Sequence, residues 1–559
     1  MNFDFHNPYP SVRLPVFARN AVSTSHPLAA QAGLRMLWKG GNAVDAAVAA
    51  AAAMTICEPV SNGLGSDAFA ILWDGQQLHG LNSSGHAPAS WTVEHFRRKY
   101  GSDATSPPKR GLDAATVPGA VGAWVALSER FGKLPFADLL EPAIEIAERG
   151  YLLPIVVQQK WAAATPELGH MPGFAESFLP WGRAPKVGEL FQFKAAARGL
   201  RRIAETRGQA FYGGEIAQAI ERFAATNGGS VTARDYALFK PEWVRPIGKD
   251  YRGYTLHEIP PNGQGIAALI ALGILKNFDM RELPVDGVDS QHLQIEAMKL
   301  AFADVYRYVS DPRTMQVTPE QMLDDAYLAS RAKLIDMKRA QEFGAGNLVK
   351  GGTIYLAAAD ENGMMVSFIQ SNYMGFGSGC VEPTFGVSLQ NRGHGFSLLP
   401  GPNQVAPGKR PFHTIIPAFL TQPKATSHPL PLGQGRGEGG GLTVTNVEPV
   451  MSFGVMGGNM QPQGHMQTLV RMLDHRQAPQ VACDAPRWRF NKGVEINAEH
   501  QMNAATVQAL KDRGHHVDVI EDSYQDFGAG QFIWRAGDPK VEGYLCASDP
   551  RRDGQVAGF

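Results

Sequence analysis

The run Ala43–Ile56, AVDAAVAAAAAMTI, constrains the fold more than any other stretch of the chain. It is apolar nearly all round, and Asn42 stands where a helix would be capped. A helix without a polar face is buried against a sheet rather than laid on a surface. The longest apolar run within it, Ala47–Ile56, is too short to span a bilayer, which takes about 20 residues. A second helix, His26–Trp38, leads into it and stops at Lys39-Gly40-Gly41, a C-cap signature.

Further helical patterns fall at Leu139–Glu148, Ile266–Leu275, 292–312 and Ala504–Arg513, with a more polar helical region over 313–343. Residues 160–240 read as mixed helix and loop. The helix over 292–312 carries Leu293, Ile295, Met298, Leu300, Phe302 and Val305, a core-packing stripe. Strand patterns fall at Ala68–Trp73, Tyr254–Ile259, His413–Leu420 and Pro449–Val455. A hairpin joins Ile354–Ala358 to Met364–Gln370 through Asn362-Gly363. The glycine-rich turn before Ala68 feeds a strand, not a helix, so it is no dinucleotide fingerprint. Buried helices with antiparallel strand pairs make the fold class α+β, with sheets sandwiched between helical layers.

The chain's 559 residues are 44% hydrophobic and 19% charged, the balance of a soluble globular protein. A net charge of -1 gives no bulk attraction to nucleic acid or an anionic membrane. Cys57, Cys380, Cys483 and Cys546 lack metal or redox spacing and read as buried thiols. The first fifteen residues lack a basic start followed by an apolar core, so the expectation is a cytoplasmic enzyme without a secretory signal. Residues 426–441, TSHPLPLGQGRGEGGG, have no apolar pattern and read as a flexible surface insertion.

The chemistry is expected between Lys350 and Gly379. Gly351-Gly352-Thr353 opens the hairpin, and we expect the chain to be cut between Gly352 and Thr353. A threonine hydroxyl is a poor nucleophile without a base beside it. A free α-amino group on the same residue supplies one, with an unperturbed pKa of about 7.7–8.0. On its own the triplet also reads as an ordinary loop end.

Many short segments, in order, together resemble the γ-glutamyltransferase family of N-terminal-nucleophile hydrolases. They are GGNAVDAAVA (40–49), VPG (117–119), FGKLP (131–135), EAMKLAFAD (296–304), GGT with its turn (351–363), FGSG (376–379), PGKRP (407–411), GG (457–458), DAPR (484–487) and SDPR (548–551). The resemblance implies a four-layer αββα sandwich that cuts itself into a large piece, 1–352, and a small catalytic piece, 353–559. These stay together, and an oligomer of the pair is left open. It also implies hydrolysis of, or acyl transfer from, a small-molecule amide, with no metal or other cofactor. On the family pattern Thr353 falls on the nucleophile and Ser371 on its hydrogen-bonding helper. Gly457 and Gly458 fall on the pair whose N–H groups face the developing oxyanion.

Several substrate contacts of that pattern are absent. Val93 stands where an arginine grips the substrate carboxylate, Gly395 replaces an ammonium-binding aspartate, and Tyr373 replaces an asparagine. His413-Thr414 replaces a serine pair, and the segment between Phe396 and Pro411 is short. A site for a zwitterion needs both an anion partner and a cation partner. Arg392 is the local replacement for carboxylate binding, reading equally as a solvated surface arginine, while His413 and Thr414 add hydrogen bonds. The pattern is similar to the oxamate amidohydrolase branch, so a small anionic amide is favoured over a glutathione-like γ-glutamyl compound. The alternative is an uncleaved member of the fold that only binds.

Overall fold

The computed structural model describes residues 3–10, 13–343, 352–424, 446–521 and 527–559. The expected insertion at 426–441 and the approach to the cut at 344–351 lie outside the described residues.

Asn42 begins the apolar helix as expected. Its side-chain oxygen accepts from the N–H groups of Val44 and Asp45, and Asp45 accepts in return from Asn42 N at 2.9 Å. This reciprocal cap satisfies orphan donors at the half-buried start of the helix. The helix runs over Ala43–Cys57 and every residue in it is buried. Its small side chains let Pro27–Trp38 cross closely: a Cβ on Gly33 would stand 2.8 Å from the Ala46 carbonyl oxygen.

Two seven-stranded antiparallel sheets lie between the helices. The first runs, in order, Gln555–Gly558, Ala21–Thr24, Gly352–Ala359, Met365–Tyr373, Asp67–Trp73, Leu78–Ser83 and Glu242–Val244. The second runs Val16–Ala18, Tyr544–Ser548, Ala529–Arg535, Val447–Met456, Ala418–Pro423, Tyr254–Glu258 and Ile247–Tyr251. Strand alternation sorts the side chains. From the first sheet, Tyr355, Ala357, Phe69, Ile71 and Ile369 share a core with Phe419, Met456, Ile533 and Tyr544 of the second. Ile354, Leu356 and Ala358 face the other way, into the core under Pro27–Trp38, Ala43–Cys57 and Phe136–Arg149. The outer face of the second sheet packs on Ile266–Leu275 and Val288–Tyr308. The order of layers is helix, sheet, sheet, helix, the expected αββα sandwich.

The central hairpin is tied to the apolar helix by its turn. Asp360 accepts from Asn362 N within the turn, and its other oxygen accepts from Ala43 N at 2.9 Å. A carboxylate there meets the positive end of the helix dipole.

Several expected boundaries move. The second hairpin strand, expected to end at Gln370, continues to Tyr373, so Ser371 lies in the sheet. The helix expected over 292–312 is Val288–Tyr308, and 313–343 holds only short helices, the longest being Asp325–Ala332. The strand expected over His413–Leu420 starts at Ala418. Pro417 has no N–H to give a ladder, and the polar groups before it are taken by loops. His413 N donates to Asn262 O, His413 O accepts from Gln264 N, and Ile416 N donates to Gln461 Oε1.

Gly454 lies on the second sheet against the Tyr355 ring, where an added Cβ would stand 2.5 Å from a ring carbon. Gly454→Ala is expected to destabilise the protein by about 1–3 kcal/mol through overpacking, read as a lowered thermal midpoint.

Candidate active site

Thr353 sits where the hairpin ladder slips. Gly352 pairs with Tyr373 and Ile354 with Gln370, so the register shifts between them. Such an irregularity re-aims a side chain out of the regular pleat. Thr353 is buried, and its Oγ1 donates to Ser371 Oγ at 3.3 Å. Ser371 Oγ also accepts from Tyr373 N at 2.7 Å. Tyr373 holds φ at +78°, a left-handed conformation that costs a non-glycine residue about 1–3 kcal/mol and is common at functional sites.

From Tyr373 a chain of contacts returns to Thr353. The Arg392 guanidinium lies 4.6 Å from the centre of the Tyr373 ring. Arg392 Nη1 donates to Thr414 Oγ1 at 2.7 Å. Gln264 Nε2 donates to Thr414 O at 2.7 Å and to Gly458 O at 3.0 Å. Gly458 O accepts from Gln461 N, and Gln461 Nε2 donates to Thr353 Oγ1 at 3.4 Å. The circuit therefore brings together Thr353, Ser371, Tyr373, Arg392, Thr414 and Gly458, residues spread over more than a hundred positions. Gly457 and Gly458 have φ of +129° and +60°, which glycine alone adopts freely at this turn.

Arg392 is not a surface residue: it is 1% exposed. Its Nε and Nη2 find no hydrogen-bond partner among the described residues. Burial pulls the guanidinium down to about 10, while the negative charge of Asp67 pushes it back up. A charged fork with two open donors on one edge is the shape that grips a carboxylate in two-point fashion.

His413 also lies in this region, fully buried. Ile415 N donates to its Nδ1, so its Nε2 carries the proton and donates to Asp67 Oδ2 at 3.0 Å. Burial, and then Arg392 and Arg410, hold the ring's pKa well below the usual histidine value. Asp67 pairs with Ser371 across neighbouring strands and shares its face. Gly119 N donates to Asp67 Oδ1 at 3.1 Å, and burial pushes the carboxyl up to about 7 against the pull of Arg392.

Asp67, Gln264 and Gln461 were not singled out in the sequence. An acid opening an otherwise apolar strand was the available signal for Asp67. Gln264 lies in the glycine-bearing turn PPNGQG and Gln461 in the first turn of the helix Met460–Leu469, just after Gly457-Gly458, with nothing else to mark them. Val93 begins the helix Val93–Tyr100 and packs beside Trp91, Phe96, Phe396, Leu398 and Val405, an apolar satellite core. Gly395 ends a short 3₁₀ turn that begins at Arg392.

Among the described residues, one group elsewhere has metal-ligand composition: His292, Glu296 and His515, all buried. A cation is already there. Lys299 Nζ lies 2.7 Å from Glu296 Oε1 and 3.5 Å from His515 Nδ1. His292 Nε2 donates to Asp336 O, so its Nδ1 accepts from His515 Nε2 at 2.8 Å. The cluster closes as a hydrogen-bonded network around the ammonium.

A family model described as Gamma-glutamyltranspeptidase matches residues 29–559. The glutathione hydrolase-like YwrD proenzyme of Bacillus subtilis is 35% identical over 97% of this chain and 98% of its own. The oxamate amidohydrolase proenzyme of Klebsiella pneumoniae is 34% identical, over 96% and 97%. The crystal structure of a cephalosporin acylase from Bacillus halodurans superposes with a TM-score of 0.89 at 46% identity, covering 100% of this chain and 99% of that one. The chain belongs to the γ-glutamyltranspeptidase family. It is an enzyme of the amide-bond hydrolase class to which those relatives belong, which sets aside the binding-only alternative. Among the described residues, no helix is long and apolar enough to cross a membrane.

Gln264 holds two carbonyls of the circuit. Gln264→Leu, of similar size but with no donor, is expected to destabilise the protein by about 1–3 kcal/mol, measured as a fall in thermal midpoint.

Proposed function

We propose that the protein is a self-processing amidohydrolase whose nucleophile is Thr353, and that its substrate is a small amide carrying a carboxylate, such as oxamate. Arg392 carries this reading: a buried guanidinium with Nε and Nη2 open, in a circuit that ends on the Thr353 hydroxyl.

Processing begins when Thr353 Oγ1 attacks the Gly352 carbonyl carbon. The acyl group moves from nitrogen to oxygen, and the nitrogen takes the hydroxyl proton. Water then hydrolyses the ester, leaving a carboxylate on Gly352 and a free amine and hydroxyl on Thr353. Gly352 suits the step, since no Cβ shields its carbonyl. The products are a large piece, 1–352, and a small one, 353–559, held together by the shared first sheet.

In turnover the new amine takes the Thr353 hydroxyl proton as Oγ1 attacks the amide carbon. Ser371 and Gln461 orient the hydroxyl, and the N–H groups of Gly457 and Gly458 receive the oxyanion. The proton passes to the leaving nitrogen, ammonia departs from a primary amide, and water frees the acid from the acyl-enzyme. Arg392 holds the carboxylate, Thr414 fixes Arg392, and Tyr373 and His413 limit the pocket. Gly395, where the family pattern has an acidic partner for a substrate ammonium, favours oxamate over γ-glutamyl compounds. The relative named for oxamate supports the same choice.

On a denaturing gel the wild type is expected to give two unequal bands, and Thr353→Ala one full-length band. Ammonia release from oxamate, glutamine and glutathione tests the substrate; equal rates on glutathione and oxamate would count against the assignment. Arg392→Met should lower kcat/KM for oxamate about 100-fold or more, the loss of two hydrogen bonds to a charged group. Its rate on neutral oxamide should change little.

A further inference from the structure

We propose that Asp67 sets the charge balance of the Arg392 pocket and so tunes its preference for anionic substrates. It is ionised in the empty site at alkaline pH, and it takes up a proton when an anionic acyl group is bound. The proposal rests on the reading of Arg392 given above.

The geometry comes first. Asp67 opens its strand beside Ser371, on the face that also holds Thr353, and is fully buried. Three donors reach its carboxylate: His413 Nε2, Gly119 N and Gly85 N. A carboxylate offers about four lone-pair sites, so one is left for a proton without breaking any of the three. His413 cannot serve in its place. Its Nδ1 already accepts from Ile415 N, and burial beside Arg392 and Arg410 keeps the ring neutral. Tyr212 and Tyr236 also act on Asp67, and burial keeps both phenols protonated. Arg410 is engaged by Glu242 at 2.6 Å and by Ser84 O. The free variables in this part of the site are Arg392, Asp67 and whatever occupies the open edge of the guanidinium.

Without substrate, Arg392 acts on Asp67 through space and not by a direct ion pair, and burial has already pushed the Asp67 carboxyl up to about 7. A substrate carboxylate on Arg392 adds a second negative charge in the same buried volume and takes up the attraction that held Asp67 ionised. Two like charges near one cation raise the pKa of the weaker partner, and Asp67 is that partner. Binding an anion is then coupled to uptake of a proton. The sign follows: raising the pH through the Asp67 pKa ionises it and weakens binding of an anionic amide, but not of a neutral one.

The Thr353 amine imposes its own pH dependence on every substrate, so the readout is a ratio. We expect kcat/KM for oxamate divided by that for oxamide, its neutral isostere, to fall about sixfold from about pH 6.5 to about pH 8.5 in the processed wild type, most of the roughly tenfold that a one-unit rise in a pKa gives over the full range. In Asp67→Asn the ratio should be flat. Calorimetry of oxalate binding in two buffers of different ionisation enthalpy should show proton uptake by the wild type near neutral pH and none by Asp67→Asn. A flat wild-type ratio, or oxalate binding without proton uptake, overturns the proposal even if the variant does not fold. A slope that survives in Asp67→Asn overturns it as well. If Arg392→Met leaves the oxamate-to-oxamide ratio at its wild-type value, the pocket reading itself fails, which is a separate outcome.

Discussion

The arrangement of the site follows from a full positive charge held where water does not reach. An unpaired ion in a protein interior costs several kcal/mol, so Arg392 has to be compensated or used. Compensation is partial. Thr414 takes one N–H, the Tyr373 ring centre lies 4.6 Å from the guanidinium, and Asp67 acts at longer range. Nε and Nη2 are left without a hydrogen-bond partner among the described residues. A site that stays under-compensated when empty gains most from a ligand carrying the missing charge, which is how buried electrostatics becomes specificity.

The rest of the fold delivers the pieces to that charge. Between the sheets the inner faces are apolar along most of their length, with Tyr355, Ile369 and Phe419 in contact. Thr353, Ser371 and Asp67 continue the same face at one end of their strands, so the strand period that builds the core also aims the polar groups into the gap. At the other end of the hairpin, Asp360 is bound to the start of the apolar helix and its carbonyl accepts from Tyr544 of the second sheet. The hairpin is thereby fixed at its turn, and its open end meets the loops bearing Gln264, Thr414 and Gln461.

Much of this was legible in the sequence because it depends on local pattern. The all-round apolar helix, its Asn42 cap and the Asn362-Gly363 turn each follow from a few adjacent residues, and the layered architecture follows from their burial. The pairing of Thr353 with Ser371 was legible only through the family resemblance, since the expected strands stopped short of both residues and the ladder slips at Thr353. What could not be read was long-range. Whether Arg392 was a surface arginine depended on Thr414 and Tyr373 meeting it. His413–Pro417 has a strand's composition, but its backbone groups are claimed by Asn262, Gln264 and Gln461. Asp67 gave a weak signal because an aspartate at a strand start is common. Its importance arises from His413, more than three hundred residues away.

The ladder slip at Thr353 bears on how the proposed scission and the later turnover share one site. A regular antiparallel pair would direct Thr353 along the pleat and tie the Gly352 peptide into an even ladder. The irregularity, with Tyr373 in a left-handed conformation across from Gly352, frees that peptide from a regular pairing. The hydroxyl is meanwhile held by Ser371 and Gln461 in the continuous chain. The same two side chains can therefore orient Oγ1 before the bond breaks and after it. The circuit from Ser371 through Arg392 to Gly458 involves no atom of the Gly352–Thr353 peptide, so scission leaves those contacts in place. What it changes is the addition of an amine to a hydroxyl already positioned, and that amine is the base the proposed reaction lacks beforehand.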